Sequence, residues 1–304
     1  MFIQELGVVA SSDKQITGVA ITKNQRMFFS MPTFVQEDNY NVGEWVDGEV
    51  KPYKAGNLKC VTAVHTEGDD LYIVDEDKLV IVDTTTDKVT KTLKPNMVEG
   101  SKLNDIRVVG RTALISEYGK GSVIVLDLST GRSRQALLSS KKSKAPKTSA
   151  TIYDNKISGE IHVDGIELSP DKKTFYFCFP LGGGLWSVPV DDLLNPTLTA
   201  PQLDSKVKKV RDLPAIGGIL TLPDGSFLIS NAEMCSIDLI RNDSITPYIK
   251  PSRILMWPDA LTLEGEYVYF ACSQLDLSSL LNPGEEDKMH APFNVFRIKK
   301  PFTF

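Results

Sequence analysis

Four oxygen-bearing residues stand out in the chain: Asn104 and Asp105 in LNDIRVV, Asp164 in IHVDGIELSP, and Asp259 in WPDALTL. Each stands at or beside the start of a short apolar run, the position where a strand opens. Carboxylates brought to one point repel each other unless a cation, a proton or a hydrogen-bond donor joins them. Such a set therefore suits cation binding or proton transfer. Calcium, or another divalent cation, is the candidate cofactor, with Asn104, Asp164 and Asp259 as its ligands, because calcium accepts oxygen ligands in loose geometry. The plainer role for Asp164 and Asp259 is to cap turns by accepting backbone N–H groups. His162 lies two residues before Asp164, so in extended chain both side chains share a face. An imidazole beside a carboxylate can act as a general base, which makes His162 and Asp164 the candidate catalytic pair. The bland role for His162 is a loop imidazole bonded to a backbone group. His290 falls in the last long loop, and His65 reads as structural.

These residues are far apart in the chain, so regular structure must bring them together. Short runs such as LYIVD, LVIVD, ALISE, VIVLDL, FLISN and YVYFAC are rich in β-branched and aromatic residues, and turn residues bound them. No helical periodicity extends over a dozen residues, and DDLLNP is the only short exception. A repeat emerges at Gly18, Thr62, Asp105, Gly165, Gly218 and Asp259, with spacings of 44, 43, 60, 53 and 41 residues. A four-stranded propeller blade needs roughly 40–50 residues, so the expected fold is all-β: one six-bladed β-propeller domain over residues 1–304. The last blade shows three good strands, and the N-terminal segment IQELGVVA supplies its fourth, closing the ring and covering an edge.

Turn chemistry orients the blades. Ser169-Pro170-Asp171, Pro223-Asp224-Gly225 and Asp47-Gly48 make short turns on one rim. The long connections 32–43, 139–163 and 275–292 gather on the other, where a ligand site is expected. Inner strands begin at that face, so Asn104, Asp105, Asp164 and Asp259 should form a funnel floor. Glu117, Tyr118, Phe179, Asn231, Gln274 and Phe34 follow second strands running toward the same rim and are the candidate substrate-binding wall. The basic run KKSKAPK at 141–147 is either a solvated loop or a lid.

LNDIRVV, ALISEYGKGSVIVLDLSTGR, VDGIELSPDKKTFYF with GGGLWSVPVDDLLN, LMWPDALTLEGEYVYFACSQL and the closing APFNVFRIKKP occur in that order. Together they resemble the yellow / major royal jelly protein family, itself similar in fold to the gluconolactonase and regucalcin-like lactonases. The resemblance implies a six-bladed propeller. It also implies an enzyme of isomerase, cyclase or lactone-hydrolase type, without a redox cofactor and suited to specialised metabolism. The family's other roles imply an alternative, a non-catalytic protein that binds an amine or aromatic molecule. The lactonase propellers hold a metal through inner-strand Asn and Asp residues and a blade-one Glu. Asn104 and Asp164 match such positions, whereas Ile16-Thr17-Gly18 and Gly217-Gly218 depart from the pattern.

Composition narrows the partners. Lys+Arg 34 against Asp+Glu 39 gives a net charge of −5, which offers no global field for nucleic acid or anionic lipid. No apolar run has the roughly 20 residues needed to span a bilayer. The start MFIQELGVVASSDKQ lacks the pattern of a signal peptide. A cytoplasmic monomer with a small-molecule ligand is the expectation. Cys60, Cys178, Cys235 and Cys272 form no CxxC pair and read as buried hydrophobes. No GxSxG, P-loop or dinucleotide fingerprint occurs.

Overall fold

The computed structural model describes residues 6–301. The short apolar runs form six four-stranded antiparallel sheets, each set as a propeller blade, and five of them are built from strands in chain order. Blade one comprises Gly18–Ile21, Met27–Met31, Asn41–Val46 and Glu49–Pro52. The inner strands of blades two to six are Val61–Glu67, Leu103–Val109, Ile166–Leu168, Ile216–Thr221 and Pro258–Glu264. Neighbouring inner strands touch around the whole ring, blade six against blade one included.

In blade six, Pro258–Glu264, Tyr267–Cys272 and Phe293–Lys299 are joined by Gly7–Ser12 as the outermost strand. Gly7 lies opposite Arg297 and Ser12 opposite Phe293. Residues 3–5 of the expected closing segment lie outside the described residues.

Blades pack face to face, so their middle strands are buried on both sides. Leu71 to Val74 and Leu79 to Val82 are all core residues, while the outermost strand Lys88–Leu93 is largely exposed. This explains why the middle strands read as continuous apolar runs. Two short helices, Val190–Leu194 and Ala200–Lys206, join the third and fourth strands of blade four. The second carries no extended helical periodicity and is held by tertiary docking: Leu203 packs with Leu193 and Val207 in the core. The long connections 32–40, 137–165 and 273–292 share one rim, and the middle one carries a hairpin, Ser149–Ile152 with Asn155–Ser158.

Candidate functional site

Four inner strands do not pair regularly at their first residues. Register shifts fall between Val61 and Ala63, Leu103 and Ile106, Ile216 and Ile219, and Pro258 and Leu261. The shifted stretches, which contain Thr62, Asn104-Asp105, Gly217-Gly218 and Asp259-Ala260, hold four of the six repeat anchors: Thr62, Asp105, Gly218 and Asp259. A bulge re-aims side chains and leaves backbone groups without ladder partners. Neighbouring blades satisfy several of these groups. Thr62 Oγ1 donates to the Asn104 carbonyl at 3.0 Å, and Ser230 Oγ donates to the Asp259 carbonyl at 2.6 Å. The bulges therefore serve two ends, stitching adjacent blades and turning polar side chains toward the axis.

The axis is a cavity of about 910 Å³, lined by Asn104, Asp105, Arg107, Asp164 and Asp259 among others. Asp164 precedes the inner strand of blade four, and its N–H donates to the Cys178 carbonyl at 3.1 Å. Burial pushes its carboxyl up to about 7; the charge of Asp105 adds to this, and a hydrogen bond from Asn104 opposes it. Asp259 is also raised, first by burial, then by Asp164 and Asp105, against the Ser273 hydroxyl that donates to its Oδ2 at 2.7 Å. Both carboxyls keep partial exposure and line the cavity.

Asp105 has a different fate. Its Oδ1 accepts from Arg107 Nη1 at 2.8 Å and from the Ile106 N–H at 2.8 Å. Arg107 also donates through Nε to Glu167 Oε1 at 3.0 Å, bridging blades three and four. Burial opposes the Arg107 charge, but Asp105 and Glu167 outweigh it and hold the guanidinium protonated. Arg107 was not among the expected site residues. Its position two residues after Asp105 in a strand was the available signal.

His162 is placed elsewhere. Its Nδ1 accepts the Ala145 N–H at 3.1 Å, its own N–H donates to the Tyr118 carbonyl at 3.1 Å, and it is absent from the cavity lining. The structure thus does not bring His162 and Asp164 to one surface, because residues 161–165 are not regular strand and the two-residue alternation fails there. Burial lowers the His162 pKa, and the imidazole pins the 141–147 loop.

The expected wall divides. Tyr118 and Phe34 line the cavity, and burial raises the Tyr118 phenol. Glu117 is 0% exposed and accepts the Lys102 N–H at 2.9 Å, the Lys120 N–H at 2.8 Å and Ser122 Oγ at 2.8 Å. Asn231 donates to Asp238 at 2.6 Å and accepts the Met234 N–H at 3.1 Å. Gln274 clasps the backbone of His290 with both ends of its amide. Phe179 is a core residue packed on Phe177. These four anchor turns and core and are not cavity lining. Asp75 does the same in blade two, accepting the N–H groups of Lys59 and Cys60. Burial pushes the Cys178 and Cys272 thiols well up, in keeping with hydrophobic roles.

Asn104, Asp164 and Asp259, the expected cation ligands, line one cavity. Among the described residues, no three His, Cys, Asp or Glu side chains gather where they could hold a metal. Asp105 is committed to Arg107, Thr62 to neighbouring carbonyls, and the Asn104 amide donates to Asp164. Blade five cannot contribute, since a Cβ at Gly217 would stand 2.2 Å from the Pro258 carbonyl oxygen. Glycine is required there for the close approach of blades five and six. That leaves two carboxylates and one amide at the axis, fewer protein ligands than the six to eight oxygens a calcium ion takes.

Comparison with solved structures places the fold. It is a six-bladed propeller of known type. The chain is similar to virginiamycin B lyase from Staphylococcus aureus, at 12% identity and TM-score 0.59 over 98% of this chain and 100% of that one. A luciferin-regenerating enzyme matches at 11% identity and TM-score 0.61 over 98% and 95%. The calcium-binding protein regucalcin from Agrobacterium tumefaciens matches at 14% identity and TM-score 0.59 over 97% and 96%. Identities this low establish the fold alone. No family model matches the chain, so membership of the yellow family is not shown. No curated protein matches it either.

Proposed function

We propose that the protein is an enzyme acting on a small organic molecule in its central cavity by proton transfer, as in isomerisation, cyclisation, elimination or lactone opening. The observation that carries this reading is the convergence of Asp164 and Asp259 on one axial cavity, where burial pushes both carboxyls up, Asp164 to about 7. A protonated carboxyl can donate to an oxygen on which negative charge develops, and its ionised form can take a proton from carbon or water. Two carboxyls with elevated values at one site are the usual mark of acid–base function, in place of the structural pairing seen at Asp105 and Arg107. The similarity in shape to propellers named as lyases is consistent with chemistry of this kind.

A second reading, a binding protein for an amine or aromatic molecule as in the yellow family, draws on the engagement of His162 and Asp105 elsewhere. Turnover assays on a panel of lactones and conjugated cyclic carbonyl compounds separate the two. Under the first reading, Asp164→Asn and Asp259→Asn each lower the rate about 10²–10⁴-fold with folding intact. Ligand binding with no turnover across the panel supports the second.

A further inference from the structure

The roof over the carboxyls comes from two segments that lock together. The hairpin Ser149–Ile152 and Asn155–Ser158 sits in the connection between blades three and four, and residues 273–292 form the long loop of blade six. The Ser158 N–H donates to the Leu281 carbonyl at 2.9 Å, and Asn155 Nδ2 donates to the Asp276 carbonyl at 2.7 Å. Asn282 Nδ2 donates to the same Asp276 carbonyl at 2.8 Å. Ile152 and Ile157 are buried in one cluster with Trp257 and Leu281, so the roof is packed as core and not draped as a loose loop.

The roof meets the cavity through Ile161, Trp257, Leu275, Leu280 and Leu281, with Glu160 as its one charged side chain. Below the carboxyls the wall is mixed, with Val64, Val108 and Ile219 set among Arg107, Glu167 and Thr262. A polyol or sugar ring needs donors and acceptors distributed around it, because each unpaired hydroxyl costs free energy on burial. This roof supplies almost none.

We infer that the substrate carries an apolar body, a hydrocarbon chain or ring system of several carbons. That body sits under the roof, and the polar reacting group meets Asp164 and Asp259. This rests on the acid–base reading for the position of the reacting group, but the seat for the apolar body stands on the wall residues alone. The substrate class is thus a hydrocarbon-substituted lactone or cyclic carbonyl compound, not a sugar-derived one.

Equilibrium dialysis with γ-butyrolactone, γ-octalactone, γ-dodecalactone and D-glucono-δ-lactone tests the inference without requiring turnover. The dissociation constant should fall by up to about fourfold per methylene seated under the roof, and the glucono-lactone should bind most weakly of the larger ligands. Ile161→Asn, at a half-buried position, should flatten the dependence on chain length. Leu280→Asn, at an exposed position, should flatten it less and keeps the test available if the first variant folds poorly. Equal affinity along the series, tighter binding of the glucono-lactone, or an unchanged slope in both variants would overturn the inference. Loss of the acid–base reading looks different: turnover would survive Asp164→Asn while the chain-length dependence persisted.

Discussion

Replacing Asp164 by Asn should make the protein more stable at high pH while removing its activity. In the folded chain burial pushes the Asp164 carboxyl up to about 7, against about 3.9 for an unperturbed aspartate in the unfolded chain. Between those values the folded state holds a proton that the unfolded state has released, so stability falls as pH rises through the window from about 4 to 7. A gap of about 3, at about 1.4 kcal/mol for each pH unit, gives a ceiling of about 4 kcal/mol at pH 8 and about 1.5 kcal/mol at pH 5. Water in the cavity screens the charge, and roughly half of those figures is a reasonable floor. Asn keeps the shape and an oxygen to accept from Asn104, so the substitution removes the charge and little else. Urea denaturation of both proteins at pH 5 and pH 8 measures the effect, with the slope m checked for constancy. The variant should gain about 2–4 kcal/mol at pH 8 and clearly less at pH 5. A loss of stability at both values, or a difference independent of pH, would refute the reasoning.

Other residues give further checks. Arg107→Ala leaves Asp105 and Glu167 without their cation at the axis and should cost about 3–5 kcal/mol in a thermal or urea melt. His162→Ala should leave ligand affinity and turnover near wild type while speeding proteolytic nicking in 141–147, because the Ala145 N–H loses its acceptor at a cost of about 1 kcal/mol. Glu117→Gln should lower stability by about 1.5–3 kcal/mol, since charge-assisted bonds to two N–H groups and a hydroxyl are weakened, with no change in ligand affinity by dialysis.

The ring was legible because its repeat is written in turn residues and strand starts. Gly18, Thr62, Asp105, Gly165, Gly218 and Asp259 all fall at or beside inner-strand entrances. Their spacing depends on blade size and tolerates insertions. The site was only half legible. Asp164 and Asp259 follow from convergence, which fold alone dictates. The strands of Glu117, Asn231 and Gln274 point to the site rim, yet each side chain is spent on a turn or a loop. The recurrence of Asp75, Glu117 and Asn231 as the last residue of a second strand was the overlooked signal. A buried acceptor recurring at one blade position serves the fold. His162 misled for a different reason: strand alternation was applied to a stretch that is not strand. Arg107 was passed over because a cation beside acidic residues reads as an ordinary surface pair until both are found at the axis.

The central claim is that a carboxyl at the axis holds its proton into the neutral range. NMR titration of protein labelled with ¹³C at the aspartate carboxyl carbons tests it most directly, with wild type and Asp164→Asn followed from pH 4 to pH 9. The account predicts at least one resonance titrating near 7 that is lost or strongly shifted in Asp164→Asn, together with a second elevated resonance from Asp259 that moves because the two sites are coupled. If every aspartate carboxyl titrates below about 5, in the range of ordinary solvated groups, the axial acids are simple anions and the proton-transfer site does not exist.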